Sequence, residues 1–267
     1  MVMQIALIVL LLLLGTACDA PPPPTLISSN ATISPVTPAD PTAATDDWIT
    51  IAPGIEQRTV TPGASALAQM ISLRIDPALL TFRAHYEPGV ARSLAQWQAA
   101  LPDAQVIVNA NFFTPEDTIL GMLVSDGAVY GSTYRDRGGM FSLRGGVPRI
   151  QYLINEPYQG EPLDQAVQAF PMLVLDGASA YTNARDVRAS RRTVIGMDRA
   201  GRVILMATPG IGLGLYDLSA WLPAAGLDLV SAFNLDGGGS TMMSIAATGY
   251  MLNSIDAVPA VLAAYYK

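Results

Sequence analysis

The segment Ser231–Met243, SAFNLDGGGSTMM, runs an apolar strand into three consecutive glycines and two hydroxyl residues. The strand carries Asn234 and Asp236 to its own end, where the chain must turn. Three glycines in a row raise the entropic cost of ordering the backbone, so each needs a reason. A plain hairpin turn needs only one Asn-Gly or Asp-Gly pair. The third glycine, with Ser240 and Thr241 behind it, exceeds that need. The loop therefore reads either as a tight turn or as a place where missing side chains let a ligand's oxygens reach backbone N–H groups, with Asp236 beside them. It is not a nucleotide P-loop, because no lysine follows the glycines.

Outward from this loop, short β-rich runs bounded by Gly, Pro, Asp or Asn dominate: MISLRI, LTFRAHY, AQVIVNA, GMLVSDGAVY, MFSLR, MLVLDG, TVIGM, RVILMAT and LVSAFNL. Two segments carry helical spacing instead. They are Val90, Leu94, Trp97 and Leu101 in one, and Leu218, Trp221, Leu222 and Ala225 in the other, read as core-facing stripes. Each helix feeds a buried strand that ends in asparagine, Asn109 before NFF and Asn234 before LDGGGS. The expected class is α+β: a mixed, mostly β-sheet core with a few amphipathic helices, in one domain.

Several function classes drop out. Cys18 is the only cysteine, so an internal disulfide, a thiolate cluster and a cysteine nucleophile inside the domain are excluded. His85 is the only histidine; a multi-histidine metal centre is excluded and His85 reads as structural. A net charge of −7 with 15 Lys plus Arg argues against a nucleic-acid surface. The glycine cluster Pro209–Gly214 lies where a dinucleotide fingerprint would sit, but the third fingerprint glycine falls on Leu215. Acid–base chemistry must then fall to carboxylates, assisted by arginine and backbone N–H. Arg185, Arg188, Arg191 and Arg192 lead into TVIG, and Arg199 follows it; Arg192, adjoining the strand, is best placed to offer a phosphate its forked donors. Asn109 and Asn111 can be turn formers, Phe112 and Phe113 core, and Asp126-Gly127 a hairpin turn.

The first residues, MVMQIALIVLLLLLGTACDA, have the apolar core of an export signal and close on Gly15-Thr16-Ala17-Cys18. That cluster resembles a lipobox, so residues 1–18 are expected to be a signal peptide with Cys18 as the lipidated residue; simple cleavage or an uncleaved anchor are the other outcomes. Residues 19–47, rich in Pro, Ser, Thr and Ala, read as a disordered tether, and residues 48–267 as the domain. The expected location is the outer face of a bacterial membrane, or the exterior.

Taken in order, VNANFF, LGMLVSDG, FPMLVLDG, RRTVIG and AFNLDGGGSTMM resemble the phosphodiester glycosidase domain family, from about Leu94 to Val261. The resemblance implies hydrolysis of an N-acetylglucosamine-type sugar linked through its 1-phosphate. It implies Asp236, Arg192 and Asn109 as catalytic residues. Asn111, Phe113, Asp126, Thr193, Asn234, Gly237, Gly238, Gly239, Ser240 and Thr241 would bind substrate. In the mechanism expected from these residues, Arg192 and the Gly237 to Gly239 N–H groups hold the departing phosphate. Asp236 acts as general base or stabilises positive charge at the anomeric carbon. No cofactor is expected, and no ligand set at characteristic spacing argues for a divalent ion at Asp236. A non-catalytic glycan-binding lipoprotein and an exopolysaccharide-assembly factor are the alternatives; the motifs are silent on oligomeric state.

Overall fold

The computed structural model describes residues 47–267 except position 64. The expected signal peptide, Cys18 and all but the last residue of the tether lie outside these residues. Alternation builds the strands. In LTFRAHY the alternate residues Leu80, Phe82 and Ala84 are buried, and Arg83 between them is exposed. VILMA is buried on both faces, with Val203, Leu205 and Ala207 toward one cluster and Ile204 and Met206 toward another.

Strands are numbered in chain order. The largest sheet joins β1 (Ile49–Ala52), β2 (Ile55–Val60), β3 (Met70–Ile75), β14 (Val203–Ala207), β13 (Thr193–Asp198), β15 (Leu229–Asn234), β11 (Met172–Leu175) and β12 (Ala178–Ser179), in that spatial order. A second sheet runs β7 (Ala128–Gly131), β6 (Met122–Ser125), β10 (Gln165–Ala169), β8 (Gly139–Arg144) and β9 (Val147–Tyr152). The third runs β17 (Tyr250–Leu252), β16 (Met243–Ile245), β5 (Val106–Asn109), β18 (Ala260–Tyr266) and β4 (Leu80–Tyr86). All three contribute to one core, through Leu73 and Ile195, Phe141 and Val167, and Phe82 and Val108 respectively.

Every strand pairing among the described residues is antiparallel. The expectation of a mixed sheet is thereby corrected, and the fold is mostly β rather than α+β. The reason is that the two α-helices have seven residues each, too short and too few to act as the repeated crossovers that parallel pairing requires. Helix α1 (Leu94–Ala100) is started by a capping box between Ser93 and Gln96 and buries Leu94 and Trp97 against Ile107, Val261 and Ala263. Val90 precedes this helix. Helix α2 (Leu215–Trp221) buries Leu218 on the largest sheet beside Val194 and Met206, and Leu222 continues the stripe in a 3-10 turn.

Two features of this architecture position a site. Strands β5 and β15 end at Asn109 and Asn234, as the sequence suggests, and β13 begins between them in space at Thr193. The chain also passes from the second sheet to the largest one at Phe170-Pro171, between β10 and β11.

Candidate active site

Asn109 is where the two helix–strand units meet. Its side chain is buried, with Nδ2 donating to the Asp236 carbonyl at 2.7 Å. Its Oδ1 accepts from the Thr193 hydroxyl at 2.7 Å and from the Met242 N–H at 3.1 Å. One amide thus ties down both ends of the Asp236–Met242 loop. The Leu235 N–H to the Thr193 carbonyl and the Asp236 N–H to the Ala110 carbonyl complete the frame. Asn109 and Thr193 are therefore positioning residues, with their polar atoms engaged inside the protein.

The glycines do different work from that expected. The Gly237 N–H donates to Asp236 Oδ1 at 2.8 Å and the Gly238 N–H to the Arg191 carbonyl at 2.8 Å, so neither stands free to cradle a phosphate. Gly238 has a φ of 63°, in the left-handed region that a side chain disfavours. At Gly239 a Cβ would lie 1.9 Å from Asp256 Oδ2. The run is glycine because the backbone turns sharply beneath Arg191 and against Asp256.

Asp236 is half-buried. Removal from water pushes its carboxyl up to about 6, against the opposing hydrogen bonds from Ser240 and Gly237; the negative charge of Asp256 adds to the rise. A carboxyl titrating near neutrality can take up and release protons under working conditions. It faces a cavity of about 470 Å³ whose lining includes Phe112, Phe170, Tyr181, Arg188, Arg192 and Asn234, together with Gly237 and Gly238.

Arg192 is almost fully buried, and two of its five N–H groups are spent on the carbonyls of Leu213 and Arg188, both at 3.0 Å. Burial holds its pKa below the usual guanidinium range, and Asp186 opposes that fall. Asn234 donates through Nδ2 to the Phe170 carbonyl at 3.2 Å, while its buried Oδ1 has no partner among the described residues.

Of the residues picked out by sequence, Arg192, Asn234, Asp236, Gly237 and Gly238 line this cavity. Asn109, Thr193 and Ser240 support it from behind, Gly239 carries the loop onward, and Thr241 is buried with its carbonyl held by Arg191 at 2.7 Å. Three do not join. Asp126 sits in the β6–β7 hairpin turn, where it and Gly127 both have positive φ, and its carboxylate meets Arg83 and Gln165. Asn111 is buried and ties the carbonyls of Leu120 and Met122. Phe113 packs beside the α1 cluster; its neighbour Phe112, on the other side of the backbone, is the one that reaches the cavity.

The sequence reading missed Phe170, Pro171, Tyr181, Arg188 and the bracing role of Arg191. The FP of FPMLVLDG and the arginine-rich approach to TVIG were the available signals. His85 lies away from the cavity, bonded to the Tyr265 hydroxyl at 2.9 Å. Among the described residues no cluster of three or more His, Cys, Asp or Glu side chains comes together.

The sequence profile of the phosphodiester glycosidase family matches residues 102–263, more than half of the chain and all the strands that frame Asp236. The chain belongs to the phosphodiester glycosidase family. Among curated relatives of this glycosidase domain, the mouse (Mus musculus) N-acetylglucosamine-1-phosphodiester alpha-N-acetylglucosaminidase is 27% identical over 206 residues, covering 66% of this chain and 39% of the mouse protein. The chain thus spans about two fifths of the length of that relative.

Solved structures share the glycosidase fold at low identity. The zebrafish catalytic domain of the same enzyme, auto-inhibited by its pro-peptide, superposes with a TM-score of 0.58 at 18% identity, over 80% of this chain and 89% of that one. A hypothetical protein from Synechocystis gives 0.59 at 17% identity, over 82% and 63%.

Proposed function

We propose that this chain hydrolyses a sugar-1-phosphodiester at the anomeric carbon. The sugar is of the N-acetylglucosamine type and belongs to envelope or extracellular glycans. The observation that carries the proposal is one carboxyl, Asp236, raised to about 6 at the rim of an arginine-bordered cavity, in a chain of the phosphodiester glycosidase family. Water attacks the anomeric carbon while Asp236 takes its proton and its charge opposes the positive charge developing there. The bond from that carbon to the phosphate oxygen breaks, and the phosphate monoester leaves with the electron pair. A phosphate is a good leaving group, so no dedicated acid is required.

Arg192, with the rest of its fork unspent, and the exposed Arg188 hold the leaving phosphate; they take over the part expected of the Gly237 and Gly238 N–H groups, which are bonded within the protein. The unpartnered Asn234 Oδ1 accepts a hydrogen bond from a hydroxyl or amide of the sugar, compensating an acceptor otherwise buried without a partner. The N-terminal segment exports the protein, and Cys18 anchors it by lipid to the outer face of a bacterial membrane. No helix among the described residues is long and apolar enough to cross a membrane.

The test is release of free sugar from a panel of sugar-1-phosphodiesters, followed against pH. The hydrolytic reading requires ionised Asp236, so kcat/KM rises with pH through a limb at about 6. Asp256→Asn removes a neighbouring negative charge and so moves that limb to lower pH. Saturable binding of the diesters without product would instead favour the glycan-binding reading.

A further inference from the structure

The cavity at Asp236 is the first of three that follow the seam between the largest sheet and the second sheet. The next, about 370 Å³, shares Phe170, Pro171 and Tyr181 with it and adds Tyr152, Ile154 and Arg137. A third, about 220 Å³, shares Tyr152 and Met172 with the second and adds Asn155, Glu156, Asp176 and Ser231. The cleft is therefore longer than one sugar and its phosphate need.

The walls of the cleft define its occupant. Phe170, Tyr181 and Tyr152 supply aromatic surface of the kind that meets the apolar face of a pyranose, and Asn155 and Ser231 supply hydrogen bonds. The charges discourage further phosphates. Arg137 is held in a two-pronged pair with Asp136 at 3.0 Å, Arg149 pairs with Glu156, and Asp176 adds a negative group. A purely apolar lipid chain is disfavoured by the polar third cavity.

Direction follows from Phe170. Arg188, Arg192 and Asp236 border only the first cavity, and Phe170, which opens into the second, is bonded through its carbonyl to Asn234, two residues before Asp236. With the phosphate at the arginines and the reacting carbon at Asp236, the remaining cavities lie on the sugar side of the scissile bond.

We infer that the second and third cavities bind further neutral sugar units of the glycosyl group, so that the substrate is an oligosaccharide 1-phosphodiester released as an intact oligosaccharide. This rests on the hydrolytic reading of Asp236. Binding energy from units remote from the reacting carbon is then available to the transition state.

The experiment compares the methyl phosphodiesters of a mono-, a di- and a trisaccharide 1-phosphate, all with the same sugar at the reacting end. The expected result is a kcat/KM about tenfold higher for the disaccharide than for the monosaccharide, with intact disaccharide as product. Tyr152→Ala, and separately Ile154→Ser, bring that ratio toward one. Tyr152 also packs partly against the main core, whereas Ile154 is 51% exposed, so the second variant separates subsite loss from loss of folding. A monosaccharide diester hydrolysed as well as or better than the disaccharide overturns the subsites and leaves hydrolysis standing. So does a length preference that survives both substitutions. No turnover of any diester removes both readings.

Discussion

Asp236→Asn should lower turnover of a sugar-1-phosphodiester by about 100-fold or more while leaving the protein folded and, at neutral pH, more stable. Asparagine can keep an oxygen for the Gly237 N–H, which lies 2.8 Å from Asp236 Oδ1, but it can neither accept a proton nor carry negative charge toward the anomeric carbon. The stability gain follows from the same burial that makes the carboxyl useful. In the folded protein its pKa rises from an ordinary 3.8 to about 6, so folding disfavours the ionised form. The penalty is absent below the unfolded value of 3.8, grows as pH rises between 3.8 and about 6, and is complete above it. Relief of that penalty is on the order of 1–3 kcal/mol at pH 7 and vanishes near pH 3. Thermal unfolding of wild type and variant at both pH values, alongside kcat, checks the two halves together. A variant that keeps near-wild-type turnover would remove Asp236 from the chemistry. One that is less stable at pH 7 than wild type would contradict the burial argument.

Asn109→Ala should act through the same loop without touching substrate. It leaves the Asp236 carbonyl, the Met242 N–H and the Thr193 hydroxyl without the partner that joined them, inside a region where Asn109 is 1% exposed. At about 1 kcal/mol for each group left unpaired, the loss is roughly 2–4 kcal/mol. A loop that shifts by about an ångström can cost on the order of 100-fold in rate, so kcat falls in the fraction that remains folded. Thr193→Val removes a single one of these bonds and should cost about 1 kcal/mol with a smaller loss of kcat. The measurement is denaturant unfolding together with kcat and KM at a temperature where both variants are folded. Loss confined to KM would make Asn109 a substrate contact rather than a positioning residue.

Much of the architecture was legible because hydrophobic pattern and local turn chemistry agree with it. MISLRI and LTFRAHY are strands β3 and β4 from end to end, and Asp126-Gly127 is the hairpin turn that its dipeptide suggests. Strands with poor β-propensity escaped notice. AVLAAYY, placed between β5 and β4, is rich in alanine, and QAVQA carries two buried glutamines. Gln165 and Gln168 tolerate burial because they bond across the fold, to the Ala84 N–H and the Met122 N–H, and no local pattern announces such partners.

The same limit governs the site. Asp236 and Asn234 could be read from the strand that delivers them. That a side chain at Gly239 would displace the Asp256 carboxylate depends on Asp256, and why Gly237 and Gly238 offer no cradle depends partly on Arg191, neither of them adjacent in the chain. Phe112 and Phe113 differ only in which side of an irregular segment they face. The resemblance placed Asp126 in the cleft, where the fold places Phe170 and Tyr181 instead.

The proposed hydrolysis breaks the bond between the anomeric carbon and oxygen, rather than that between oxygen and phosphorus. The measurement is to run the protein on a sugar-1-phosphodiester in water enriched in heavy oxygen and to weigh both products. The expected products are free sugar carrying the heavy oxygen and an unlabelled phosphate monoester. Label in the phosphate, or sugar 1-phosphate as the product, would show attack at phosphorus and contradict it.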